Sequence, residues 1–417
     1  MLNPGFIFSN SIIYTIAIFS TIWFLYQKSH SQRVESLPPG PKPLPILGNA
    51  HQIPTKNIQE VYREWKKLYD LDNDTLANHL PVRAGLDTTW VLSPYGDTIR
   101  HFRKLGRHIM GSQAIGKYES VQEDEARSFV KALIDCPDEL LSHVDRILYG
   151  YSPSPELDAI SKAGQRITYE ASALLTASSR LTWQWGIIPP RTPYVLHCYS
   201  KSKNTSVLIS RPAGQETTSA TLYMFFFMMG NNPGIQAKAR AEIMSITGGH
   251  RLPQLSDRTS FVYVMAVFKE VLRYHSAAPL GLPHLSDEEY TYEGYRIPKN
   301  TIVFGNIWEI LHDPEIYPDP FEFKPERFLD IPTKTPDGYP TDPRQYVFGF
   351  GRRTCPASHL AESTLLISIA TVLATCDIGP CFNPDGSKIE KFQYTPTLVA
   401  HPLPFTCSIN PIAREIL

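Results

Sequence analysis

The sequence predicts a mainly α chain with a small β-rich side, carried behind an N-terminal transmembrane helix. Three observations predict it. Phe6 to Tyr26 contains no charged residue, and about 20 apolar residues cross the hydrocarbon of a bilayer. Stretches with helical spacing of apolar residues recur from Ile58 to Thr375. β-like runs are short and gathered late, at Tyr290 to Ile297, Thr301 to Phe304 and Tyr394 to Ile409.

The N-terminal segment is read as an anchor and not as a cleaved signal, because no basic region precedes it and no small-residue cleavage site follows. Trp23, Tyr26, Lys28 and Arg33 at its trailing edge suit a cytosol-facing interface. The predicted organisation is therefore an anchor over 1–28, a hinge over 29–50 and a body over 51–417. The hinge contains LPPGPKPLPILGN, whose five prolines fix φ and remove backbone donors, so it is stiff and extended.

Within the body, Val61, Tyr62, Trp65 and Leu68 mark a first amphipathic helix over 58–69. Ile99, Phe102, Leu105 and Ile109 mark a second over 97–110, and a third is expected over 120–134. No clear strand pattern occurs over 70–90. Ser210 is expected to cap a helix with Pro212 in its first turn. The following Ala213 to Met229 is apolar nearly all round, which implies burial. Helices over 235–246, 260–275 and 358–375 follow, with Lys299-Asn300 expected as a turn and the proline-rich 313–329 as an irregular meander.

Of the 417 residues 42% are hydrophobic and 19% charged, and the net charge is −1. This excludes a disordered chain and gives no electrostatic case for a nucleic-acid partner. Six cysteines (Cys136, Cys198, Cys355, Cys376, Cys381 and Cys407) form no CxxC pair, so neither a zinc site nor a dense disulfide framework is suggested.

Chemistry concentrates in FGFGRRTCPA, Phe348 to Ala357. Gly349 and Gly351 permit tight turns, and the helix that follows is expected to lower the Cys355 thiol pKa, making a metal-binding thiolate. Glu270 and Arg273 of KEVLR share a helix face at i and i+3, where a solvated surface pair is the commoner outcome. Arg327 of PERF could complete a triad with them. Glu216 and Thr217 of AGQETT place a carboxylate and a hydroxyl in an apolar helix, costly unless used.

The succession AGQETT, KEVLR, PERF and FGFGRRTC resembles the cytochrome P450 superfamily. The runs APLGLPH, IPKNTIVFGNIWEILHDPEIYPDPFEFKPERF and FGFGRRTCP are similar to its fungal microsomal, secondary-metabolism members. The resemblance implies a mainly helical fold with a small β-rich side and heme b, held by Cys355 as axial thiolate. It assigns Arg353, His284, Arg103 and Phe348 to heme contact, Glu270, Arg273 and Arg327 to a structural triad, and Glu216 and Thr217 to proton delivery during oxygen activation. It further implies insertion of one oxygen atom from dioxygen into an apolar small molecule, a secondary metabolite or xenobiotic. An NADPH-cytochrome P450 reductase in the endoplasmic reticulum membrane would supply electrons.

Four departures from the family pattern stand out. Ala357 replaces a glycine two residues after the cysteine, and Ile99 replaces the tryptophan of a WxxxR pair whose arginine is Arg103. The region 70–95 lacks the usual sheet elements, and 182–211 lacks the substrate-roof helices, so both look shortened. A catalytically impaired remnant of such an enzyme is the alternative reading. Thiolate-heme isomerase or dehydratase chemistry is a third, which Glu216 and Thr217 argue against.

Overall fold

The computed structural model describes residues 58–69, 77–78, 96–137, 140, 143–144, 205–299, 301–336, 338, 340–389, 392–395 and 398–417, together with 38–40 and Thr21. The expected anchor and hinge, and nearly all of 70–95 and 182–211, lie outside the described residues.

Among those residues the helices are α1 (Ile58–Tyr69), α2 (Asp97–Met110), α3 (Ser112–Ile115), α4 (Glu119–Asp135), α5 (Thr205–Asn231), α6 (Pro233–Thr247), α7 (Tyr263–Tyr274), α8 (Ile307–Leu311), α9 (Arg327–Asp330), α10 (Arg344–Val347) and α11 (Ser358–Thr375). The strands are β1 (Ala77–Asn78), β2 (His284–Leu285), β3 (Tyr290–Tyr292), β4 (Tyr295–Ile297), β5 (Ile302–Val303), β6 (Cys376–Phe382) and β7 (Thr406–Pro411).

The core sits where α4, α5, α6, α7 and α11 meet. Leu222 to Met229 of α5 and Leu365 to Ala374 of α11 are buried on every face, the state expected of helices apolar all round. Phe129 of α4 meets Phe226 of α5 edge to face at 6.2 Å. By length and composition α11 could cross a membrane, but two thirds of it is packed inside the protein, which makes it a core helix.

Helix α5 corrects one expectation. It begins at Thr205 and not at Pro212, which lies in its interior. The physical reason is that a helical proline forfeits one i to i−4 bond and does not by itself stop a long helix.

The β-rich side is three small antiparallel sheets, ordered β1-β5-β2, β3-β4 and β6-β7. β1 supplies a strand within 70–90, where none was expected. The expected turn at Lys299 is present, closed by the Thr301 N–H on the Pro298 carbonyl at 3.2 Å, while the expected run Tyr290 to Ile297 is itself a hairpin, β3 and β4 closing over Glu293 and Gly294, at φ 47° and 82°. Two successive left-handed residues form the turn that matches sheet twist, and glycine takes one of them without strain. β6 follows α11 with no loop, and its Gly379-Pro380 pair lies at a register shift between Ile378 and Cys381. Proline is tolerated at such a bulge.

The segment 313–329 is irregular, as expected. α1 docks beside it: Arg63 pairs with Glu309 at 3.0 Å and lies over the rings of Trp308 and Phe321.

Candidate functional site

The cysteine loop is anchored first through α10. The Asp342 side chain accepts from the Arg344 backbone N–H at 3.1 Å and binds the Arg344 guanidinium through both oxygens at 3.0 and 2.7 Å. Lys269 of α7 reaches the same carboxylate at 3.0 Å. Burial alone would push Asp342 up, but the Arg344 hydrogen bonds and charge, helped by Lys269, hold it at about 2.

This depression has a sign. The stabilisation is complete above the ordinary 3.8 and is lost as pH falls toward about 2. Asp342→Asn should therefore lower stability at neutral pH by roughly 1 kcal/mol after solvent screening, with a lower unfolding midpoint. The difference from the parent should close as acid approaches pH 2, which a pH series of thermal unfolding checks.

From α10 the chain turns through Gly349 and Gly351, at φ 78° and 53°, a left-handed backbone that a side chain would strain. The loop then closes on itself: Cys355 N–H donates to the Phe348 carbonyl at 2.7 Å, Arg353 N–H to Phe350 at 3.1 Å and Thr354 N–H to Gly351 at 3.2 Å. Phe348 thus meets the cysteine through its backbone. α11 begins three residues after Cys355.

Helix α2 approaches from the other side. Arg103 donates to the Thr354 carbonyl at 2.5 Å, and Gly106 presents its backbone to Pro356, where a Cβ would meet the proline ring at 3.5 Å. Ile99, in the position of the missing tryptophan, is buried in the core.

The Cys355 sulfur is half-buried and in no disulfide. Burial pushes its thiol up, against the lowering effects of the Ala357 N–H and the Arg103 charge. This overturns the expected lowering: desolvation of a thiolate outweighs one amide and one nearby cation. A coordinating metal reverses the balance, since a metal-bound thiol is deprotonated outright. Ala357 itself has φ −104°, open to any residue, so its methyl introduces no backbone strain.

Burial and then the charge of Arg353 push His284 down, which places these two groups within electrostatic reach. His284 pairs with Val303 of β5, and two residues on, Gly305 receives the Phe350 ring: a Cβ there would lie 2.6 Å from Phe350 Cε2. Gly305→Ala should therefore displace Phe350 and lower stability by about 1–3 kcal/mol, as overpacking does. Unfolding midpoints and retained cofactor, compared with the parent, test this.

Glu270, Arg273 and Arg327 come together in the interior and not on the surface. Arg273 grips Glu270 through two bonds of 2.8 and 2.9 Å with both side chains fully buried, and Arg327 reaches Glu270 at 3.2 Å. The remaining Arg273 donors go to the carbonyls of Leu311, Pro320 and Glu322, and those of Arg327 to Pro318, Asp319 and Glu322. Lys324 N–H also donates to Glu270 at 2.8 Å. Every strong donor has an acceptor, which a buried charge cluster requires.

Glu216 and Thr217 stand on α5, the first buried and the second half-buried. α5 packs against α11, the helix that leaves the cysteine loop. Beside them the Thr218 hydroxyl donates to Gly214 and Thr221 to Thr217, at 2.9 and 2.8 Å.

Sequence reasoning missed Gly305, Gly106, Phe350 and the Thr354 carbonyl. Only the second phenylalanine of FGFG carried a signal, since a ring between two glycines has nothing local to pack on.

The cysteine loop, its flanking arginines and His284 fit an iron porphyrin, offering one sulfur ligand beside cationic side chains suited to carboxylates. A model of the cytochrome P450 family matches residues 201–409. Cytochrome P450 monooxygenase 208 of Postia placenta is 31% identical, with 95% of this chain and 94% of that protein covered. Cytochrome P450 monooxygenase COX2 of Coprinopsis cinerea is 29% identical over 92% of this chain and 91% of its own. Cytochrome P450 monooxygenase claR of Ampulloclitocybe clavipes is 29% identical over 92% and 88%.

Proposed function

This chain belongs to the cytochrome P450 family and is an oxidoreductase of the monooxygenase class, and from that premise we propose a heme-thiolate enzyme that inserts one oxygen atom of dioxygen into an apolar secondary metabolite or xenobiotic. The observation that carries the reading is the convergence on Cys355 of a self-closed loop that carries Arg353 and of Arg103 from α2.

In this reading Cys355 would supply the sulfur ligand, and Arg103, Arg353 and His284 would hold the carboxylates of heme b. Heme bound there would supply the reductive activation of dioxygen, with the thiolate's electron density favouring O–O cleavage. Glu216 and Thr217 would pass protons inward along α5. Glu270, Arg273 and Arg327 hold the meander in place. Electrons arrive from an NADPH-cytochrome P450 reductase, with residues 1–28 as anchor in the endoplasmic reticulum, 29–50 as hinge and 51–417 as the cytosolic heme domain.

The chain expressed in microsomes, reduced and exposed to carbon monoxide, should give the thiolate-heme Soret band. Protein without that band would overturn the proposal. Thr217→Ala should keep the band but raise oxygen and NADPH consumption per product formed, a direction read from coupled consumption and product assays.

One observation favours the second reading, a catalytically impaired relative. The pairing with the Postia protein extends over 486 aligned positions, more than the 417 residues of the chain, so part of that relative has no counterpart here. Shortening at 70–95 and 182–211 would produce this. A normal carbon monoxide band with no oxygen uptake above background across a panel of apolar substrates would decide for the impaired form.

A further inference from the structure

β6 and β7 place two thiols face to face. Their register sets Cys381 opposite Cys407, and neither is in a disulfide. Directly opposed residues of an antiparallel pair have Cα atoms about 4.5–5.5 Å apart, inside the roughly 4.4–6.8 Å span of disulfides. The register therefore puts the pair at the Cα spacing of a disulfide.

The two sulfurs differ in surroundings. Cys381 is buried against the last turn of α5, 3.9 and 3.8 Å from the Phe226 and Phe227 carbonyls. A Cβ on Gly230 would lie 2.8 Å from its sulfur. Cys407 is half-buried and therefore the one a reagent in solution reaches. The third cysteine of the same sheet, Cys376, lies opposite Pro411 and its sulfur interacts with the Thr375 hydroxyl at 3.6 Å, so it has no thiol across from it.

We propose that Cys381 and Cys407 are a redox modification site, a cross-strand dithiol that a small disulfide of the glutathione class converts to an intramolecular disulfide tying the C-terminal strand to β6. In the first step Cys407 sulfur attacks one sulfur of the small disulfide, forming a mixed disulfide and releasing one thiol. In the second, Cys381 sulfur attacks the Cys407 sulfur and releases the other. The two cysteines lose two electrons and two protons, and the small disulfide takes up both as two thiols. The order follows from exposure: Cys407 is half-buried and Cys381 buried, so Cys407 meets the small disulfide first and Cys381 resolves it from within.

The site is independent of heme, so its test does not depend on the monooxygenase reading. The full chain is equilibrated in a series of oxidised and reduced glutathione mixtures. It is then quenched in acid, unfolded, alkylated and analysed as peptides by mass spectrometry. The expected result is loss of alkylation at Cys381 and Cys407 together, a linked peptide pair lighter by two hydrogens, and recovery of both thiols with dithiothreitol while Cys376 stays alkylatable throughout.

Cys381→Ala should leave glutathione attached at Cys407, because the resolving thiol is gone. Both cysteines alkylatable across the whole series, glutathione retained at Cys407 of the unmutated chain, a link to any other cysteine, or no adduct in Cys381→Ala would each overturn the proposal.

Discussion

Cys355→Ser is expected to abolish the thiolate-heme carbon monoxide band while leaving the polypeptide folded. Serine preserves the loop's closing bond, because the donor to Phe348 is the backbone N–H. It removes the sulfur, which alone among the loop's groups is a soft, electron-rich ligand for iron. Since the side chain is half-buried and of similar size, stability should change little. The measurement is a paired one: the carbon monoxide difference spectrum and a thermal unfolding curve on the same microsomal or detergent preparation. A band that survives the substitution would place the ligand elsewhere.

Glu270→Ala is expected to have the larger effect on the fold. It removes the shared carboxylate from Arg273, which is fully buried, and from Arg327. Removing one partner of a buried ion pair leaves a stranded charge and typically destabilises by about 3–5 kcal/mol. A domain is commonly stable by only about 5–15 kcal/mol, so a large fraction of that margin should be lost. Glu270→Gln retains an acceptor for Arg273 and for the Lys324 N–H and should fall between the two. Unfolding midpoints and limited proteolysis of the meander over 313–329 rank the three chains, and an Ala variant as stable as the parent would show the cluster to be dispensable.

The helices were legible because their apolar spacing is strong: α1, α2 and α11 have the bounds that periodicity predicts, and α6 and α7 differ by a few residues at their ends. β6 was not, because Gly379-Pro380 interrupts its alternation and α11 passes into it without a turn signal. β1 was missed because two residues carry no period. In the site, sequence motifs named Cys355, Arg353 and the Glu270 group, but spacing alone cannot tell a surface pair from a buried one. Arg103 and Thr354, 251 positions apart, meet only through folding, which local patterns cannot reveal. The upstream extent of α5 is not legible because Pro212, which suits a first turn, lies in the interior of a helix that begins at Thr205.

The bond from Cys355 N–H to the Phe348 carbonyl also has a kinetic side. It shuts an eight-residue loop around its own backbone, so the chain itself supplies part of the order of the sulfur-bearing segment. Capture of a cofactor then costs correspondingly less chain entropy at the moment of binding. Uptake of free porphyrin should accordingly be set by how fast a flat, greasy molecule finds its way in, with a single-exponential time course whose rate scales with porphyrin concentration.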